Sequence, residues 1–329
     1  MTIELKSAHF RRDREPAWRE LDRLVTRTEA RGIGSLSAVE LTRLPVLYRA
    51  AVSSLSVARA ISLDANLLEY LDTLAARAYM VVYGTRRPLG EAVRGFFREG
   101  FPAAVRTLRL PILFSLALFL LGGVAGFALV QHDPETYYAI VPPALADERT
   151  PAADRETLKD CLYNEGGGHL QAFATFLFVH NTQVGLTAFA LGIVFGLPTL
   201  LLMLFNGLIL GAFFQIHHAQ GLSLDLWGWL LPHGVPELSA VVLCGGAGLA
   251  LARAILLPGE HTRSEALIEA GRPAGTVVIG AAVLLAVAGV IEGVFRQTVR
   301  DIVLRYAVAA VGAALLAWWI LAPWRRGRA

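Results

Sequence analysis

From Leu110 onward the chain runs again and again for about twenty residues without a charge, and this feature limits its fold more than any other. A helix of roughly 20 mostly apolar residues is needed to cross the ~30 Å of hydrocarbon in a bilayer, and only helices or closed barrels satisfy their own backbone groups there. No such run exists between Met1 and Arg109. The chain therefore reads as an all-α polytopic helical membrane protein with an N-terminal cytoplasmic helical domain and about six transmembrane helices.

Charge divides the sequence in the same way. Residues 1–109 carry 18 Lys and Arg against 12 Asp and Glu, while residues 131–169 carry 3 against 8. A basic front and an acidic first loop fit an inserted chain whose front stays in the cytoplasm. The first twenty residues are charged and lack the apolar core of a signal peptide. The two cysteines, Cys161 in a polar loop and Cys244 in an apolar run, are not expected to pair.

Residues 1–87 read as a domain of three or four helices. Trp18, Leu21, Leu24 and Val25 recur at three-and-four spacing, and Gly32 and Gly34 end that helix. Ser37-Ala38-Val39-Glu40 has the pattern of a capping box. Pro45 should kink or restart the helix that follows. Ser62 to Asp64 gives another start before Leu67, Leu68, Leu71 and Leu74, and Gly84 closes the domain. In residues 88–109, Phe96, Phe97, Phe101, Val105 and Leu108 alternate with Arg94, Arg98, Arg106 and Arg109. This suits an amphipathic interfacial helix with its arginines toward anionic headgroups. The alternative is an amphipathic helix packed on the front domain.

Residues 110–329 form the transmembrane bundle, with an acidic outer loop at 131–169. The first span is Leu110 to Val130, where Gly122, Gly123 and Gly126 offer close helix contact. Phe173, Phe176, Leu177 and Phe178 suggest a short amphipathic helix returning to the membrane. Val184 to Gln215 is uncharged over 32 residues, too long for one upright span and short for two. Gly196-Leu197-Pro198 interrupts it, which gives either a hairpin of helices near 181–196 and 198–217 or one long kinked helix. Only the hairpin keeps Arg253, Arg263, Arg272 and the terminal Arg325, Arg326 and Arg328 on the side of the basic front, and it is preferred on that ground. The remaining spans fall near Glu237–Leu257, Thr276–Val294 and Ile302–Leu321. Trp227, Trp229, Trp318, Trp319 and Trp324 are expected at headgroup level, and Arg305 is placed to snorkel.

Ionisable groups in or beside these spans are few. A charge inside hydrocarbon costs several kcal/mol, so such residues face the bundle interior and mark a function or a fixed polar contact. Pro232-His233-Gly234-Val235-Pro236-Glu237 should start or break the fourth span. There His233 and Glu237 serve as a relay or ligand contact, or else as an N-cap pair at a buried helix start. Glu292 either joins them in one polar centre or pairs with Arg296 one turn on. Asn181 and Asn206 complete the set of intramembrane polar candidates and are expected to bond across helices. Gly192/Gly196 and Gly207/Gly211 are G-x-x-x-G pairs with a weak packing signal. His217-His218 is too little for a metal site, and no zincin, phosphate-loop or nucleophile-elbow motif is present. No catalytic residue, metal or cofactor is expected. The front's arginines alternate with acids, so no nucleic-acid partner is expected either.

The membrane half resembles the stage II sporulation protein M family. The resemblance rests on Asn181 through Phe189-Ala190-Leu191-Gly192, on Asn206-Gly207-Leu208-Ile209-Leu210-Gly211 and on Pro232 to Leu238. It continues through Gly245 to Gly248, Leu257-Pro258-Gly259 and Ile291-Glu292-Gly293. Leu44 to Arg49 and Ser53 to Arg59 are similar to the front of the family's long members. In sporulating members the family is associated with forespore engulfment and with anchoring cell-wall hydrolases. Long members are often encoded beside a MoxR-type AAA+ ATPase and other membrane proteins. The resemblance therefore implies an integral membrane scaffold or subunit of a bacterial envelope complex, recruiting partners through its front and outer loop. A transporter using a broken helix near Pro232–Glu237 together with Glu292 is the alternative. An intramembrane enzyme lacks a matched nucleophile and base. Oligomeric state, a homo-oligomer included, stays open.

Overall fold

The computed structural model describes residues 6–60, 65–83, 89–163, 169–295 and 298–322. Every regular element among them is helical. The chain divides into two compact units at Leu89/Gly90.

The front unit holds α1 (Lys6–Arg31), α2 (Ala38–Ala60) and α3 (Ala65–Val82). Trp18, Leu21, Leu24 and Val25 of α1 are buried against Leu44, Leu47, Ala51 and Leu55 of α2 and Leu71, Leu74 and Ala78 of α3. Gly32, at φ 79°, turns the chain out of α1. The capping box is present: the Ser37 N–H donates to Glu40 Oε2 at 2.9 Å, and the Glu40 N–H donates to Ser37 Oγ at 3.3 Å. Pro45, in contrast, does not restart α2. The carbonyl it deprives of a donor belongs to Leu41 on the exposed side, while Leu44 and Leu47 hold the turn in the core. Arg77 ties α3 to α1 through Asp22 (2.8 Å) and Glu29 (2.7 Å). The helix start at Ser62–Asp64 and the stop at Gly84 lie outside the described residues.

The second unit begins with α4 (Leu89–Gly95), a π-helical turn (Phe96–Gly100) and α5 (Phe101–Thr107). Next come α6 (Arg109–His132), the short α7 (Thr136–Ile140), α8 (Pro143–Ala146) and α9 (Arg155–Tyr163), and then α10 (His169–Ala190) and α11 (Leu197–Ala219). Last are α12 (Ser223–Leu256), α13 (Arg263–Val290) ending in a π-helical turn, and α14 (Ile302–Leu321). Among the described residues five of these, α6, α11, α12, α13 with its π turn, and α14, are long and apolar enough to cross a membrane. The uncharged stretch is a hairpin. A 3-10 turn ends α10, and Phe195 (φ 54°) and Gly196 (φ 76°) reverse the chain into α11. Its first arm is longer than the sequence suggested, because the returning segment around Phe178 is continuous with it in α10. The side chains of Phe173, Phe176 and Leu177 lie outside the described residues.

α12 is the axis of the bundle and touches α6, α10, α11, α13 and α14. It runs unbroken for 34 residues, about 51 Å at 1.5 Å per residue. Pro232 and Pro236 are inside it, so the expected start or break there does not occur. Packing explains the difference: Pro232, His233, Gly234, Pro236 and Glu237 are all buried, and neighbouring helices hold the turn that the prolines weaken.

The α6–α11 contact is backbone on backbone. A Cβ on Gly207 or Gly211 would fall on the carbonyl oxygen of Phe119 or Gly123, and one on Gly122 or Gly126 on that of Leu204 or Leu208. Gly192 meets Gly248 of α12 in the same manner.

The apolar side of α5 packs on the bundle, with Ala104, Val105 and Leu108 buried beside Phe101. Phe101 is fully buried, stacks on Trp319 at 4.8 Å and occupies the space left by Gly280. Arg305 does not snorkel; it is buried, donates to Val299 O at 2.9 Å and lies over the Tyr163 ring, because α9 folds back onto the bundle. Trp229 is an interior residue, not a headgroup anchor. Arg296, Trp324 and the terminal arginines lie outside the described residues.

Candidate functional site

The acidic segment after α6 folds back as a cap. Tyr137, Ile140, Leu145 and Leu158 pack on Ile209, Ala212 and Ile216 near the end of α11. The Tyr137 hydroxyl donates to the Arg149 carbonyl, and burial raises its pKa above the usual phenol range. Tyr163 of α9 donates to Asp225 at 2.7 Å, and burial first, then that carboxylate, push its hydroxyl up to about 12. These contacts seat Arg149, 4% exposed, over the helices with its guanidinium 3.9 Å from Asp147 and 3.3 Å from the Cys161 carbonyl.

Beneath the cap lies a partly open cavity of about 120 Å³, bounded by α6, α10, α11 and α12. Because α12 is continuous, residues four apart share a face. Trp229, His233, Glu237 and Val241 therefore form one stripe along the cavity wall. The Trp229 and His233 rings meet edge to face at 5.3 Å. His180 and Asn181 enter from α10, and Asn206, Phe213 and His217 from α11.

The structure thus brings four of the five sequence candidates, His233, Glu237, Asn181 and Asn206, to one cavity. Asn181 reaches across helices and hydrogen-bonds the Glu237 carboxyl. Asn206 instead donates to Leu202 O, one turn back in its own helix, at 2.8 Å. Glu292 is not with them. It is buried in the π-helical turn after α13, which packs on α10 and α12, and is not among the cavity-lining residues.

Sequence reasoning missed His217, His180, Trp229 and Arg149 as site residues. His217 is fully buried, with Nδ1 2.8 Å from Phe213 O and Nε2 without a hydrogen-bond partner among the described residues. The available signal was a histidine in the last turn of an apolar helix, a place that gives no reason for burial. Arg149 left no local signal, since only the folded cap brings it here. Among the described residues no group of three or more His, Cys, Asp or Glu is placed to hold a metal ion. The cavity offers one permanent cation, one hydrogen-bonded carboxyl and several imidazoles above apolar walls.

A family model described as Stage II sporulation protein M matches residues 115–295, which span the helices around the cavity. A second, described as a domain of unknown function (DUF8413), matches residues 8–84 of the front unit. No curated protein and no solved structure matches the chain.

Proposed function

The chain belongs to the stage II sporulation protein M family, whose model covers more than half of its 329 residues, and from this we infer a non-enzymatic membrane subunit of an envelope complex. In this reading the front unit recruits a partner and the helical bundle anchors it. One observation carries it: the front is a compact unit with its own core, and it presents an uncovered aromatic cluster. Tyr79 and Tyr83 are more than half exposed, and both pack against Tyr48 with ring centroids 6.3 and 5.7 Å away. Exposed aromatic groups at low entropic cost are favoured at protein contacts. The proposed partner is a MoxR-type AAA+ ATPase, following the resemblance. The proposed location is a bacterial cytoplasmic membrane with both termini inside, supported by the α10–α11 hairpin and the positive-inside tendency.

The test is co-purification. Full-length chain should recover a co-expressed MoxR-type ATPase, and a chain lacking residues 1–88 or carrying Tyr79→Ser and Tyr83→Ser should not. Equal recovery by all three refutes recruitment through the front. A permease-like reading draws on the buried Glu237 and its cavity, although the unbroken α12 removes its broken helix. It requires flux in liposomes that Glu237→Gln and Glu292→Gln abolish.

A further inference from the structure

The residues that line the cavity show its shape. On α11 they run from Asn206 to His217, about 16 Å at 1.5 Å per residue, and on α12 from Leu226 to Val241, about 22 Å. The cavity is thus a slot drawn out along α12. Its cap end is at His217, two residues before the end of α11. Its deep end is at Glu237, fourteen residues and about 21 Å into α12, with Asn181 as hydrogen-bond partner. His233 stands one turn from Glu237 on the cap side. Past Glu237 the bundle is closed: every residue of α12 from Ala240 to Ala252 is buried. A Cβ on Gly248 would fall on the Ala188 carbonyl oxygen and one on Gly245 on the Met203 sulfur, while the Ser115 hydroxyl donates to Val242 O at 3.0 Å.

Water fits this slot. A carbonyl oxygen only accepts, so the 2.8 Å contact to Phe213 O assigns the His217 ring proton to Nδ1. Nε2 of the neutral ring, fully buried at the cavity wall, then holds a lone pair with no donor among the described residues. Buried polar groups are paired with protein or with ordered water, and the about 120 Å³ of the cavity admits several waters at about 10–15 Å³ each. Among the described residues, the polar groups that face Glu237 across the slot are His233 on its own helix, His180 and Asn181 from α10, and Asn206 and His217 from α11. α6 adds Phe119, Arg149 of the cap is engaged by Asp147 and the Cys161 carbonyl, and α13 and α14 pack on the proline side of α12. Imidazoles and amides bond or pass a proton without fixing a charge beside the carboxyl, and an ionisable group that faces a wet cavity inside a membrane marks a proton or ion path.

We propose that Glu237 is a reversible proton-binding site at the foot of a hydrated half-channel that leads to the cap and is closed toward the other membrane face. A hydronium arriving from the cap side gives its proton to the carboxylate and remains as water, and release runs the same step in reverse. The proton is then the ligand of the carboxyl on which the permease-like reading draws, but no passage through the membrane is needed. Absence of flux in liposomes sinks that reading alone, and absence of the titration described next sinks this one alone. Neither bears on recruitment by the front unit.

The test uses the full chain in liposomes with the cap outward, read by infrared difference spectroscopy after the pH is changed on one face. Acid on the cap side should raise a carboxylic acid C=O band that Glu237→Gln removes, and acid on the other side should not raise it while the gradient lasts. If Glu237→Gln fails to fold, Glu237→Asp, which keeps the acid and moves it, should shift the band. Leu230→Trp, which fills the slot from α12 between His217 and Glu237, should slow the response to acid on the cap side several-fold. A band that neither Glu237 variant changes, an equal response to acid on the two faces, or a response in Leu230→Trp as fast as in the unaltered chain overturns the proposal. So does loss of the band when sodium is added at fixed pH, which would make this a metal-cation site.

Discussion

Replacing Gly207 with alanine tests the packing on which the bundle rests. In a free helix this change is favourable by about 1 kcal/mol, because glycine has the larger backbone entropy to lose. Here the added Cβ would stand 2.9 Å from Gly123 N and 3.0 Å from Gly122 Cα, besides falling on the Phe119 carbonyl oxygen. Comfortable separations are about 3.5–4.0 Å and the carbonyl oxygen is the closest of the three, so α6 and α11 must part locally by more than about 1 Å, and a gap of that size forfeits at least about half of the dispersion well. The blocking atoms are backbone and cannot rotate away, which places the cost near the top of the ~1–3 kcal/mol found for overpacking. After the helix-propensity gain the net expectation is a loss of about 1–2 kcal/mol. Gly275→Ala on α13, where a Cβ meets nothing within 4 Å, should be neutral or stabilising by up to about 1 kcal/mol. Unfolding by sodium dodecyl sulfate titration in mixed micelles reads both. Adding Gly211→Ala to Gly207→Ala should cost less than the sum, because helices already parted accommodate the second methyl. Equal shifts for Gly207→Ala and Gly275→Ala would refute a backbone-on-backbone contact.

Asn181→Leu removes a partner of the buried Glu237 carboxyl and should destabilise the bundle by about 1–3 kcal/mol in the same titration, with Glu237→Gln costing less. Ser37→Ala removes the cap of α2 and should lower the stability of the front by about 1 kcal/mol, read as faster limited proteolysis at the front's arginines. The Ser37 backbone N–H, then Arg27, hold the Glu40 carboxyl at about 2, below its ordinary 4.5. That lowered value contributes stability in full above about 4.5 and loses it as pH falls toward 2, so Glu40→Gln should flatten the acid dependence of front-unit proteolysis. Burial raises the Cys161 thiol, so an impermeant maleimide should label it slowly at neutral pH and faster in alkali, while buried Cys244 stays unlabelled. Labelling of Cys161 from the cytoplasmic face alone would invert the proposed topology.

The sequence showed where lipid contact and local chemistry decide the outcome. The first and last spans, expected at Leu110–Val130 and Ile302–Leu321, are α6 (Arg109–His132) and α14 (Ile302–Leu321), because each is a long apolar run bounded by charged residues, with the single charge of the last, Arg305, close to its start. Ser37–Glu40 was legible because a capping box is complete within four residues. Proline reasoning failed at Pro232 and Pro236 for one reason: the penalty is local, and burial across the whole helix opposes it. The polar candidates were legible as residues too costly to leave in lipid, but their grouping was not. Arg149 joins the cavity only through the folded cap, over a separation that no local pattern reports, and His217 meets it there from the last turn of α11.

The continuous α12 gives Pro232-His233-Gly234-Val235-Pro236-Glu237 a different meaning from a helix break. Pro232 and Pro236, four apart, line a groove against Leu284 of α13 and Leu316 and Trp319 of α14. His233 and Glu237, also four apart, face the cavity on the adjoining side. Successive residues of a helix are rotated by about 100°, so the same six residues serve two neighbours at once. On one side are rings without a backbone donor to satisfy, packed against apolar helices; on the other is the polar stripe. A break would have scattered His233 and Glu237 into a loop and opened carbonyls toward the cavity. The unbroken helix keeps both side chains in register with Trp229 and Val241 along one wall of the cavity.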